Sequence, residues 1–299
     1  MRTQIATASS SNDVVTPRPT ARLPVRVNES LSRGLADRFL DVLAQQGDRY
    51  RIGLRAMPWH PPSNKKAIGR IRQTFIQLGE RTHLIQVIGS TANARQVTVC
   101  QFVPHVVGGS AGRTAPLRFV LNQFVISRHG LGTGPDCGVA LAATEHAVER
   151  LFQRLNTLDL GAVVGELQDA MLLALPLWTV GLSLRLRQVA LPTSSGAFLC
   201  DLDPDRPYLR AKTWIANPQI GLRWRQVINA VESAVEAAGG PTALAEVLGT
   251  GISQALDDDG ARVFAQLAEA LASHPWLRNP YVPRVDIVGE AWKRYANHA

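Results

Sequence analysis

The stretch HLIQVIGSTANARQVTVCQFVPHVV, residues 83–107, decides the fold class. Its two ends, 83–90 and 95–107, are rich in β-branched and aromatic residues and flank the polar turn Ser90 to Ala94, so they read as two strands. Leu117 to Ser127 reads as a third, with glycines clustered before it (Gly108 to Gly112) and after it (Gly130 to Gly138). Upstream, Leu35, Phe39, Val42 and Leu43 recur at helical spacing behind Ser30 or Ser32 as cap, and Gly47 is the expected stop. The Pro-rich loop 57–63 leads to Ser63, placed to cap a second helix carrying Lys65, Lys66, Arg70 and Arg72. Residues 139–190 read as helical, Gly196 to Ile215 as a β-hairpin, and 222–299 as helices broken at Gly239-Gly240 and at Asp257 to Gly260. The expectation is an α+β protein: a mixed α/β body with a β-hairpin over 28–217, then a helical C-terminal region over 218–299. Residues 1–27, rich in Ser, Thr, Pro and Arg without an apolar run, are expected to be a disordered basic tail.

Composition narrows the class. The 299 residues are 45% hydrophobic and 19% charged, which suits a soluble globular chain. Cys100, Cys137 and Cys200 lie far apart with no CxxC pair, so neither a zinc ribbon nor a disulfide framework is indicated, and the cytoplasm is the expected location. The uncharged run Ala170 to Leu184 is shorter than the ~20 residues of a membrane span, and no transmembrane helix is expected. No HxH, HExxH, Walker A, GxSxG or GxGxxG pattern occurs, so no metal and no cofactor are expected.

Charge is unevenly placed. Residues 1–100 hold 15 basic and 6 acidic side chains, 101–200 hold 7 and 6, and 201–299 hold 10 and 12. An arginine-rich excess confined to one third is suited to a polyanion, because guanidinium groups grip phosphate bidentately.

The segment Thr144 to Leu155 places chemistry on a helix. At about 100° per residue, His146, Arg150 and Arg154 form one ridge, flanked by Glu145 and Glu149, while Ala147, Val148, Leu151, Phe152 and Leu155 form the opposite stripe. Two guanidinium groups beside an imidazole can hold a phosphodiester and move a proton near neutral pH. An exposed helix face explains the same residues without chemistry. The pattern Glu145-His146-Ala147-Val148-Glu149-Arg150, continued to Arg154, resembles the opening helix of RelE/ParE-superfamily, BrnT-like toxins, and the resemblance spans residues 140–217 at most. It implies RNA cleavage or translation inhibition, with His146, Arg150 and Arg154 at the matching positions.

In the hairpin, strict alternation puts Tyr208, Arg210, Lys212 and Trp214 on one face and Leu209, Ala211, Thr213 and Ile215 on the core face. Two cations between two aromatics suit stacked bases and neutralised phosphates. Equally, the aromatics can pack beneath a helix while the cations reach solvent. Asp201, Asp203 and Asp205 read as a turn, and His129 as a second proton-transfer candidate. Residues 237–256 resemble a Cro-like helix-turn-helix, although three aspartates follow where phosphate would lie; a Thr242-capped helix after Gly-Gly-Pro explains them too. The expected partner is therefore nucleic acid, RNA rather than DNA, with metal-independent cleavage of a toxin-like type. A non-enzymatic interaction protein, a mobile-element accessory factor or a secreted effector, with a protein partner, is the alternative.

Overall fold

The computed structural model describes residues 26–57, 69–71, 73–75, 77–78, 86–93, 96–107, 117–127, 129–133, 139–202, 208–240, 243–244 and 258–279. The expectations for 1–25, Ser63, Lys65, Lys66, Arg72, Asp203, Asp205, Thr242 and the second half of the helix-turn-helix lie outside these residues. Within them, α1 (Glu29–Ala56) precedes β1 (Gln86–Asn93), β2 (Gln96–Val106), β3 (Leu117–Ser127), β4 (Gly130–Thr133) and β5 (Val139–Ala143). Then come α2 (Glu145–Leu155), α3 (Leu160–Ser183), β6 (Gln188–Pro192), β7 (Gly196–Leu202), β8 (Leu209–Ala216), α4 (Leu222–Ala237) and α5 (Asp258–Ala272). The fold is a mixed α+β body with a helical C-terminal region.

Three local expectations change. Asn28, not a serine, caps α1 by accepting from Leu31 N–H at 2.9 Å, while Ser32 donates to Glu29 O. The helix runs through Gly47 because buried Phe39, Leu43, Tyr50 and Leu54 continue the stripe beyond it, which outweighs the cost of about 1 kcal/mol for one internal glycine. The region 139–190 is not helical throughout: Val139–Ala143 and Gln188–Pro192 are strands. Both are short, almost wholly buried apolar runs, in which periodicity cannot separate strand from helix.

The eight strands make one sheet in the order β1-β2-β3-β5-β8-β7-β6, with β4 paired to β3. All pairs are antiparallel except β5 with β8, the join made possible by the long α2–α3 crossover. One face, with Phe102, Phe119, Leu121, Phe198, Leu209 and Ala211, packs in a single cluster with α2, α3 and the first half of α1. Phe39 meets Phe152 edge-on there, with ring centroids 5.7 Å apart. By length and composition α3 is apolar enough to cross a membrane, but most of it is buried in this core, as in a soluble protein. Helices α4 and α5 join the same cluster through Val227, Val231, Val263 and Leu267.

The opposite face is covered at its two ends. Tyr50, Leu54 and Phe75 lie over Val97, Val99, Phe124 and Ile126, and Ile220 and Ile228 lie with Ala190 and Ala197. Between them His105, Arg210 and Lys212 are exposed.

Gly196 opens β7 directly under the Trp214 ring, and a methyl group there would run into that ring and the Ile215 carbonyl. Gly196→Ala should therefore lower unfolding free energy by about 1–3 kcal/mol in urea titrations, the usual cost of overpacking. An unchanged midpoint would show that Trp214 has room to move.

Candidate nucleic-acid interface

Strand register aligns a polar row across the uncovered face. His105 pairs with Arg118, Arg118 with Ala142, Ala142 with Arg210, Arg210 with Asp201, and Asp201 with Gln188. Cross-strand partners share a face, so these side chains form one line about 4.8 Å per strand. The Arg118 guanidinium sits 5.8 Å from the centroid of the half-buried Tyr208 ring, a cation–π arrangement. Its Nε is buried and has no hydrogen-bond partner among the described residues. Asp201 accepts from Gln188 Nε2 at 3.2 Å and holds Lys212 Nζ at 3.0 Å. Arg210 is exposed and directed away from the core cluster. The row thus presents Arg118, Arg210 and Lys212 against one carboxylate, with Tyr208 as a stacking surface.

Trp214 is not part of this surface. It was expected beside Tyr208, Arg210 and Lys212, but it is completely buried. The cause is a β-bulge: Leu199 pairs with Thr213 and Cys200 with Ala211, leaving Lys212 as an extra residue. One extra residue reverses the alternation, so Trp214 joins Leu209 and Ala211 on the core face, opposite Phe198, while Thr213 and Ile215 are only half-buried. The indole N–H donates to Thr193 Oγ1 at 3.2 Å, and that hydroxyl donates to buried Glu166, which also accepts from Ser195 N–H at 3.1 Å.

The expected His146–Arg150–Arg154 ridge is split by its surroundings. Strand β5 pairs with β8 only over Leu209–Ala211, and α2 runs beside β8 beyond that point. Thr144, the α2 cap, donates through its N–H and Oγ1 to Ala211 O, each at 3.1 Å. Arg154 donates to Trp214 O, so its guanidinium satisfies a strand-edge carbonyl. Burial, with repulsion from Arg150 second, pulls its pKa below the usual arginine value. His146 and Arg150 remain toward solvent: Arg150 Nε donates to His146 Nε2 at 3.4 Å and its Nη1 to Gln153 Oε1 at 2.5 Å. Glu149 lies 3.6 Å from His146 Nδ1 and 3.3 Å from Arg33 Nε, tying α2 to α1. His129 is exposed in the β3–β4 turn, and Arg70 is exposed in the helical residues before Phe75.

The chain matches no family model, no curated protein and no solved structure. The toxin-like and helix-turn-helix resemblances therefore rest on their motif residues alone. Sequence reasoning missed His105 and Arg118. Their signal was present: Arg118 interrupts the apolar strand Leu117 to Leu121, and His105 lies next to the end of the long β2, but their union with Arg210 depends on the pairing of β5 with β8, whose partners lie 68 residues apart in sequence.

A separate cavity of about 530 Å³ near the β6–β7 turn is lined by Asp169, Glu232 and Glu236 with Ser194, Leu172 and Val235. Burial raises the Glu232 carboxyl above the usual glutamate value. The folded state then binds this proton more tightly than the unfolded chain, so ionised Glu232 opposes folding at neutral pH and the penalty fades as pH falls through the raised value. Glu232→Gln should raise Tm at pH 7, and the difference from wild type should shrink in acid. Arg154→Ala should cost about 1–3 kcal/mol by orphaning the Trp214 carbonyl, whereas His146→Ala should stay within about 0.5 kcal/mol. Equal losses in urea would refute the division of that ridge into a structural and a solvent-facing part.

Proposed function

We propose that the chain binds nucleic acid, single-stranded RNA in preference to DNA, along the open middle of the sheet, and that it does so in the cytoplasm. The observation that carries this reading is the group of three cations on one sheet face, Arg118 on β3 and Arg210 and Lys212 two strands away on β8, with Tyr208 stacked under Arg118. Cations gathered on a sheet face neutralise phosphates of a strand laid across it, and an aromatic ring on that face accepts the face of an unpaired base. A paired duplex hides that base face, which is why single strands are the favoured partner.

A second reading, metal-independent RNA cleavage at His146, is favoured by one arrangement. Glu149 at Nδ1 and Arg150 at Nε2 hold the ring in one orientation beside a guanidinium able to meet a phosphate. In that reading Arg154 is a structural group and Arg150 alone of the two arginines reaches substrate.

Binding of labelled single-stranded RNA, single-stranded DNA and duplex DNA across a salt series tests both. Three neutralised phosphates predict a slope of log affinity against log salt of about −2, at roughly 0.7 per phosphate on a single strand. Arg210→Glu should weaken RNA binding at least about tenfold and flatten that slope, while His146→Ala should leave binding intact and abolish any shortening of the RNA. Salt-independent binding, or Arg210→Glu behaving as wild type, would remove the sheet face as the interface and favour a protein partner instead.

A further inference from the structure

At the β2 end of the polar row lies a cavity of about 380 Å³ whose lining includes Tyr50, Arg55, His105, Val120 and Asn122. We propose that it is a nucleotide pocket, taking one splayed-out nucleotide of the bound strand with its base inward and its phosphate at the rim. This rests on the nucleic-acid reading above, and it names what that surface selects.

Four observations carry it. The volume lies in the range of about 300–1,000 Å³ typical of small-ligand sites. Val103, Val120, Phe124 and Leu131 give the apolar walls that the two faces of a base require, and Tyr50 supplies an aromatic ring. Arg55 and His105 are exposed lining residues, so positive charge or a proton donor is available where a phosphate would enter. His105 also pairs with Arg118, and Arg210 is three strand spacings from it, about 14 Å, the reach of roughly two nucleotides. A strand tracking the cations therefore delivers its next nucleotide to the cavity.

A buried polar residue next to two lining residues, Tyr50 and Asn122, gives the pocket a means of reading a base. Gln101 pairs across the sheet with the lining residue Asn122 and is completely buried. The Tyr50 hydroxyl donates to its Oε1, which leaves its Nε2 as a donor without a partner among the described residues. Burial of the Tyr50 phenol raises its pKa, so it stays a protonated donor through the physiological range. A buried amide donor is stabilised by an acceptor brought to it, and base edges offer carbonyl oxygens and ring nitrogens. Asn122 provides a further donor and acceptor at the wall.

The test uses the full-length protein with AMP, CMP, GMP and UMP, the matching nucleosides, and a short single-stranded RNA, read by saturation-transfer NMR and calorimetry. At least one nucleotide should bind, more tightly than its nucleoside because Arg55 and His105 meet the phosphate. Val120→Trp, which fills the cavity, should weaken that nucleotide at least about tenfold, and Asn122→Leu should weaken it and reduce discrimination among the four bases. Circular dichroism melts check folding, and Asn122→Leu carries the test if Val120→Trp unfolds. Nucleotide binding unaffected by either folded variant overturns the pocket. RNA binding without any nucleotide binding overturns the pocket and leaves the sheet interface standing; pocket-dependent nucleotide binding without RNA binding supports the pocket and overturns the sheet interface.

Discussion

The extra residue at Lys212 is the constraint on which the sheet's two faces depend. Without it, Trp214 would point away from Leu209 and Ala211, and a large aromatic would leave the main core. With it, the indole fills the space against Phe198, and its N–H must find an acceptor inside the protein. The Thr193 hydroxyl accepts a hydrogen bond from the indole N–H and donates one to Glu166, which also accepts from Ser195 N–H. Asp169 holds the same turn by accepting from Ser194 N–H at 2.9 Å. A carboxylate this deeply placed is tolerated because donors surround it. Lys212 itself stays on the face of Arg210, where alternation already places it, and reaches Asp201 there. One backbone irregularity thus completes the core without taking a cation from the surface.

The sheet is long enough that no single helix covers both of its faces from end to end. Helix α1 shows the compromise most clearly: its first half packs with α2 through Phe39, and its second half reaches the opposite cluster through Tyr50 and Leu54. Strand β3 follows the change, burying Leu117, Phe119 and Leu121 on one side and Phe124 and Ile126 on the other. The middle strands are then left with one face packed and one face polar. A polar face carrying half-buried Arg118 and exposed Arg210 and Lys212 is the electrostatic consequence.

Helix α2 has a different task from the one its sequence pattern advertises. It follows the point where β5 stops pairing with β8, and Thr144 and Arg154 satisfy strand carbonyls at positions 211, 212 and 214. A helix can lie beside a strand edge only if polar side chains replace the missing ladder. Arg154 is consumed in that role, while His146 and Arg150 stay available above Glu149. The His146–Arg150–Arg154 ridge therefore mixes a structural arginine with a solvent-facing pair.

Much of the element content was legible from the chain. The limits of β3 follow from its apolar run between glycine clusters, and the buried stripe of α2 from the helical spacing of Ala147, Val148, Leu151 and Phe152. The short strands β5 and β6 were not legible, because a buried apolar run of five residues has no distinguishing period. Tyr208, Arg210 and Lys212 could be named as one cationic strand, yet Trp214 could not be removed from it, since a bulge is set by pairing with Leu199 and Cys200 and leaves no mark in the residues it shifts. By itself the sequence determined local propensity, caps, charge and the apolar stripes, all of which act between neighbours along the chain. Only the tertiary structure decided that His105, Arg118 and Arg210 share a line, that Arg154 is spent on a carbonyl and that Trp214 is core, because hydrogen-bonded register between distant strands fixes which side chains meet.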